Sequence, residues 1–304
     1  MPPIQAFAAI ATIVCLQPGP AALREIFEEA LSRRTAEYGV FDARTAQAAR
    51  DLGLFLSRNG EQSDARNILD QVVRIDEKVF GSAAPRTLAD VADLAAVSPP
   101  NQSESLWKRA AETPETSVAA RALAELGRLH ALADDREGAA AYYRRALTKQ
   151  EEADGKDSAG VAVDLNALAK VVDPAQAVPL LEHALAIDRR ILGVHHAETA
   201  TTQANLAGLL ADSPRNAEAI RLATEALAVF RETVGPEHPR TAVTASILGY
   251  AYEVKGDRHR AEEMYRLALS IDQRVYGPRH PQTINDARVL SEFLHAPPSA
   301  NATR

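Results

Sequence analysis

Three histidines occupy matching places in this chain: His196 in "LGVHHAETA" (192–200), His238 in "VGPEHPRTA" (234–242) and His280 in "YGPRHPQTI" (276–284). Imidazoles bind metals and carry protons near neutral pH. Three of them at a fixed spacing raise the question of a metal centre or a proton relay. Zinc would need each nitrogen at about 2.0–2.1 Å from the ion. Carboxylates are also paired, at Glu28-Glu29, Glu151-Glu152 and Glu262-Glu263, but neighbours at i,i+1 on a helix point in different directions and read as solvated faces. The chain lacks a Gly-x-x-x-x-Gly-Lys-Ser/Thr loop, a His-Glu-x-x-His pair and a Gly-x-Ser-x-Gly turn. Its one cysteine, Cys15, lies in the N-terminal apolar run. No catalytic residue, metal ligand or cofactor site is expected.

What the histidines do depends on the elements that carry them. Glycines recur at Gly39, Gly81, Gly193, Gly235 and Gly277, and a threonine follows each by six residues, at Thr45, Thr87, Thr199, Thr241 and Thr283. Thr113 and Gly155 fall at corresponding places inside the long gap, next to the shortened connections "VSPPNQS" and "VVDPAQA". A fixed period of 42 residues, the step from Gly193 to Gly235 and again to Gly277, predicts a stacked array rather than one closed core.

Each unit predicts a helix hairpin. In residues 244–277 the first helix carries Leu248, Gly249, Ala251 and Tyr252, a turn follows at Gly256-Asp257, and the second helix carries Ala261, Met264, Tyr265, Ala268, Leu269 and Ile271. Spacings of three and four put these on one face. Small residues at Gly249, Ala261 and Ala268 let the helix axes approach, with the tyrosines filling the space around them. The glycine then ends one helix, the proline starts the next, and the histidine sits in the N-cap region between them. Equivalent histidines would stand at least one helix-packing distance apart, roughly 8–10 Å, too far to share an ion. Trp107, at the position of Leu69, Tyr143 and Tyr265, is expected in the core.

This pattern resembles the tetratricopeptide repeat, and the 42-residue period with its G-x-x-H-P-x-T link resembles the kinesin light chain type of that repeat. The matching positions include Leu52, Gly53, Leu56, Ala65 and Leu69; Leu126, Gly127, Ala139, Tyr143 and Ala146; Leu168, Ala169, Ala177 and Leu181; and Leu206, Ala207, Ala219 and Ala223. The resemblance covers residues 20 to 294. It implies an all-α, right-handed α-solenoid of stacked antiparallel hairpins, about six of them with half-units at the ends, over residues 21–295. It also implies a non-enzymatic scaffold that binds a protein or peptide segment in a concave groove lined by first helices. Carried onto this chain, the groove positions are Arg50 and Leu54; Arg121 and Arg128; Asn166 and Lys170; Asn205 and Asp212; and Ser246, Tyr250 and Glu253. Asn166 and Asn205 are expected to bond a peptide backbone, since a carboxamide offers a donor and an acceptor. Arg50, Arg121, Arg128 and Lys170 suggest a locally positive groove that favours an acidic or C-terminal carboxylate. The alternative is a structural module that self-associates through its outer surfaces or ends.

The bulk properties fit either reading. The 304 residues are 46% hydrophobic, only 5% aromatic, and carry a formal charge of −7. An acidic chain is a poor match for nucleic acid, which selects basic surfaces. The apolar run Ile4–Leu16 is too short to span a bilayer. Residues 1–20 read as a secretory signal, which would place the protein outside the cytoplasm, or as a first packing helix, which would keep it inside. Residues 296–304 have the composition of a disordered tail.

Overall fold

The computed structural model describes residues 19–296; the rest of the expected signal or packing helix and nearly all of the expected tail lie outside them. Among the described residues all regular structure is α-helical, in fourteen helices. They divide into two compact units between Thr113 and Pro114.

The first unit contains α1 (Pro20–Tyr38), α2 (Ala43–Arg58), α3 (Gln62–Phe80), α4 (Pro85–Ala96) and α5 (Pro100–Ala110). Here α2 pairs with α3 and α4 with α5, while α1 lies on α2 and α3 on α4. The second unit contains α6 (Thr116–Leu132), α7 (Arg136–Asp154), α8 (Ala159–Ala169), α9 (Pro174–Ile191), α10 (Ala197–Leu210), α11 (Asn216–Thr233), α12 (Pro239–Lys255), α13 (Arg258–Val275) and α14 (Pro281–His295). Each of these packs on the next in chain order, and α10 also reaches α12. Both units are therefore stacks of antiparallel hairpins, with α1 and α14 as single helices.

Three hairpins, α2/α3, α6/α7 and α12/α13, close where a first-helix glycine meets a large second-helix side chain, Leu69, Tyr143 or Tyr265. A Cβ added at Gly249 would lie 2.9 Å from Tyr265 Cδ1, and one at Gly127 would lie 2.8 Å from Tyr143 Cδ1. Around these crossings the core is alanine-rich: Ala207, Ala219, Ala223, Ala251 and Ala268 are all buried. Small side chains bring the helix axes close, and the tyrosine or leucine then fills the remaining gap at crystal-like density. Trp107 is buried.

The links between hairpins repeat one solution. Gly235 has φ +104°, a left-handed backbone that glycine adopts without a Cβ clash. His238 then caps α12: its Nδ1 accepts a hydrogen bond from the Arg240 backbone N–H at 3.1 Å. His196 and His280 make the same bond to Glu198 and Gln282, at 3.1 and 3.2 Å. Each ring satisfies one of the donors that a helix start leaves open. The threonine six residues after the glycine closes the link from the other side, with Thr45, Thr87, Thr199 and Thr241 donating their hydroxyls to the carbonyls of Gly39, Gly81, Gly193 and Gly235 at 2.7–2.9 Å. At the last link Thr283 instead donates to the Asp272 carbonyl at 3.1 Å.

Candidate functional site

The sequence-selected residues separate into distinct environments. In the first unit, Arg50 on α2 reaches α4, with Nε 3.0 Å from Asp90 and Nη2 2.8 Å from Asp93. Its guanidinium holds two helices of the unit together. Leu54 is half-buried on the same helix.

In the second unit, Arg121 and Arg128 are exposed on α6, and Arg128 pairs with Glu125 at 2.8 Å. Asn166 on α8 and Asn205 on α10 meet directly: Asn205 Nδ2 donates to Asn166 Oδ1 at 3.1 Å. Asn166 in turn donates to Thr202 Oγ1 at 2.8 Å and to the Ala162 carbonyl at 3.0 Å. Thr202 donates to the buried Asp188 carboxylate at 2.7 Å. This chain of donors runs from the α9/α10 interior to the surface. It leaves the two amides with different capacities. Both N–H bonds of Asn166 are committed, whereas Asn205 keeps one N–H and its carbonyl oxygen.

Asn166, Lys170 and Asn205 line one cleft of about 340 Å³, completed by Arg136, Pro174 and an apolar floor that includes Leu181 and Leu209. Lys170 and Arg136 are exposed, and neither forms an ion pair among the described residues. Arg136 was invisible to first-helix periodicity because it opens α7, a second helix, after the Asp135 cap. Tyr250 on α12 is exposed beside Asp212. Burial, followed by the Asp212 and Glu253 charges, pushes its hydroxyl above the ordinary range.

A second set of polar residues lies inside the seams between successive hairpins. Asp76, Asp188 and Asp272 each stand five residues before a link glycine and are buried. Fourteen residues later come their seam partners, Asp90, Thr202 and Asp286, also buried. Burial, reinforced by a bond to Asp76, raises Asp90 to about 7, with Arg50 opposing. Asp76 accepts from Arg86 Nε at 2.7 Å. Asp286 rises to about 6 through burial and contact with Asp272. Asp164 rises to about 6 through burial alone. The Ile-Asp dipeptides at 75–76, 187–188 and 271–272, each five residues before a link glycine, were the available signal for these acids.

No group of three or more His, Cys, Asp or Glu among the described residues is arranged to hold a metal ion. No helix among them is long and apolar enough to cross a membrane.

Tetratricopeptide repeat models match residues 173–232 and 209–273, and another matches 45–85. Among solved structures, the chain is similar to a signal transduction ATPase with a tetratricopeptide repeat sensor from Pyrococcus horikoshii. That likeness has a TM-score of 0.65 at 14% identity, over 90% of this chain and 42% of the other. PilF of Pseudomonas aeruginosa gives a TM-score of 0.56 at 18% identity, over 80% and 97%. A kinesin light chain-type protein of Podosopora anserina with nearly identical TPR-like repeats gives 0.42 at 21% identity, over 75% and 94%. None of the curated proteins matches the chain. The first two structures carry the likeness of fold, and the repeat models place it on this sequence. The chain therefore carries tetratricopeptide repeats over residues 45–85 and 173–273, within a tetratricopeptide-like stack of helix hairpins.

Proposed function

We propose that this chain is a non-enzymatic scaffold that takes an extended protein or peptide segment in the cleft between α8, α9 and α10. Tetratricopeptide repeats serve in general as protein-interaction scaffolds, and the finer reading concerns where and how this one binds. The supporting observation is the Asn205 carboxamide, which Asn166 holds in place and which retains one donor and one acceptor beside an apolar floor. That combination matches a peptide unit, which also offers one of each. Asn166 acts by positioning its neighbour. Lys170 and Arg136 on the rim favour a segment with an acidic side chain or a free C-terminus, with their charges setting encounter and orientation. Arg50 and Arg128 do not add to this, because each is already paired with carboxylates of its own unit.

The experiment is selection from a random peptide library on the wild-type chain, followed by affinity measurement on variants. Asn205→Ala is expected to weaken the selected peptides about 5- to 10-fold, the loss of a hydrogen bond worth roughly 1 kcal/mol, with an unchanged melting temperature. Lys170→Glu is expected to weaken acidic peptides further. Selected peptides that bind both variants as tightly as the wild type would remove the cleft from consideration.

A further inference from the structure

The seam between α13 and α14 differs from the equivalent seams in one respect. At α9/α10 the position fourteen residues after the buried aspartate is Thr202, whose hydroxyl donates to Asp188 at 2.7 Å. At α3/α4 it is Asp90, and two guanidiniums enter that seam, Arg50 at 3.0 Å from Asp90 and Arg86 at 2.7 Å from Asp76. At α13/α14 it is Asp286 against Asp272, two buried carboxyls in one seam, and both oxygens of Asp272 are buried without a hydrogen-bond donor. No arginine or lysine among the described residues pairs with either of them.

We infer that α14 is a proton-dependent latch, docked on α13 while Asp286 and Asp272 share a proton and released when that proton is lost. Two carboxylates in contact in a dry seam cannot both ionise without strong repulsion. The ionisable groups facing the pair are each other and His280, which would favour the charged form of Asp272 only when its ring is protonated; on α14 itself Gln282 donates to Asp286 at 3.2 Å. Val289 and Leu290 also pack α14 against the Ala261 and Tyr265 cluster, and its other attachments lie at its two ends. Thr283 bonds the Asp272 carbonyl, and Phe293 packs on Tyr265 with ring centroids 5.4 Å apart while Arg258 donates to its carbonyl at 3.0 Å. Release of the helix therefore uncovers the Ala261 and Tyr265 face of α13, which Phe293 now covers.

The sign follows from linkage. A carboxyl raised to about 6 in the docked state adds its stabilisation in full below the open-state value of about 4 and loses it as pH climbs through 6. Those values couple protonation to docking by at most about 100-fold.

Native-state hydrogen exchange tests the latch on the full chain, with rates corrected for the intrinsic dependence on pH. Protection of residues 281–295 is expected to fall about 10-fold from pH 5 to pH 8 relative to α12. Asp286→Thr copies the Asp188–Thr202 pair and is expected to keep α14 protected at pH 8. Asp286→Asn, which stays neutral at every pH, is expected to remove the pH dependence as well, and it serves if the threonine variant folds poorly. Equal wild-type protection of α14 at the two pH values, or a wild-type pH slope in both variants, would overturn the latch.

Discussion

His238 shows how one residue type can be fixed for a backbone reason. Its ring lies close enough to the helix start for Nδ1 to accept the Arg240 N–H, a bond that also requires the neutral ring with its proton on Nε2. Its equivalents at 196 and 280 do the same for their own helices, so the 42-residue spacing of the histidines is the spacing of helix starts. Replacing His238 by alanine leaves that donor open and is expected to cost about 1 kcal/mol, the usual worth of an N-cap. Asparagine, a strong N-cap with an oxygen in reach of the same N–H, is expected to restore most of the loss. Urea denaturation of the two variants checks both. If alanine and asparagine are equally destabilised, the cap is not what the histidine contributes.

At the scale of the element, the hairpin depends on where a Cβ is absent. Gly249→Ala drives a methyl to 2.9 Å from the Tyr265 ring and is expected to destabilise by about 1–3 kcal/mol through forced displacement of the second helix. Gly208 on α10 is the opposite case. A Cβ there would sit 3.8 Å from Ile247, an ordinary contact, so Gly208→Ala is expected to stabilise by about 0.5–1 kcal/mol through helix propensity alone. Opposite shifts in the denaturation midpoint confirm that the glycines serve different purposes; two shifts of the same sign would refute the close crossing. The crossing glycines, the link glycines and the apolar stripes were legible in the sequence because each obeys a short-range rule of spacing. Asn166 and Asn205 were expected to bond a peptide backbone; that they bond each other was not legible, because they stand one register apart relative to the following Leu-Ala pair. What spacing did not carry was how each side chain is used: Arg50 reads as a groove cation, yet it is held by Asp90 and Asp93 from 40 and 43 residues away. The role of Thr45 and its equivalents was hidden for the same reason, since their six-residue offset becomes a hydrogen bond only after the link has turned back on itself.

Across the whole molecule, stability in such an array is approximately a sum of hairpin and seam contributions, and the seams carry the pH dependence. Asp90 is raised to about 7 and Asp164 and Asp286 to about 6, so each contributes most in acid and loses its contribution as pH rises through those values. Asp42, held down to about 2 by its bonds to Arg44, acts the other way. Its contribution is present above about 4 and disappears only as pH falls toward 2. The chain is therefore expected to be most stable near pH 4–5 and to lose stability toward pH 8. The general charge of −7 at neutral pH adds repulsion of the same sign, so the slope alone does not identify its source. Asp90→Asn separates the two effects. The variant removes one of those acids while leaving the rest of the negative surface in place, and Arg50 keeps Asp93 as a partner. For the wild type, the Asp90 shift alone amounts to on the order of 2–3 kcal/mol between pH 5 and 8. The asparagine variant is expected to recover that much of the loss at pH 8 and to change little at pH 5, where the native carboxyl is already protonated. Denaturant titrations of wild type and variant at both pH values measure it. A variant whose stability falls with pH as steeply as the wild type would assign the slope to surface charge instead of the α3/α4 seam.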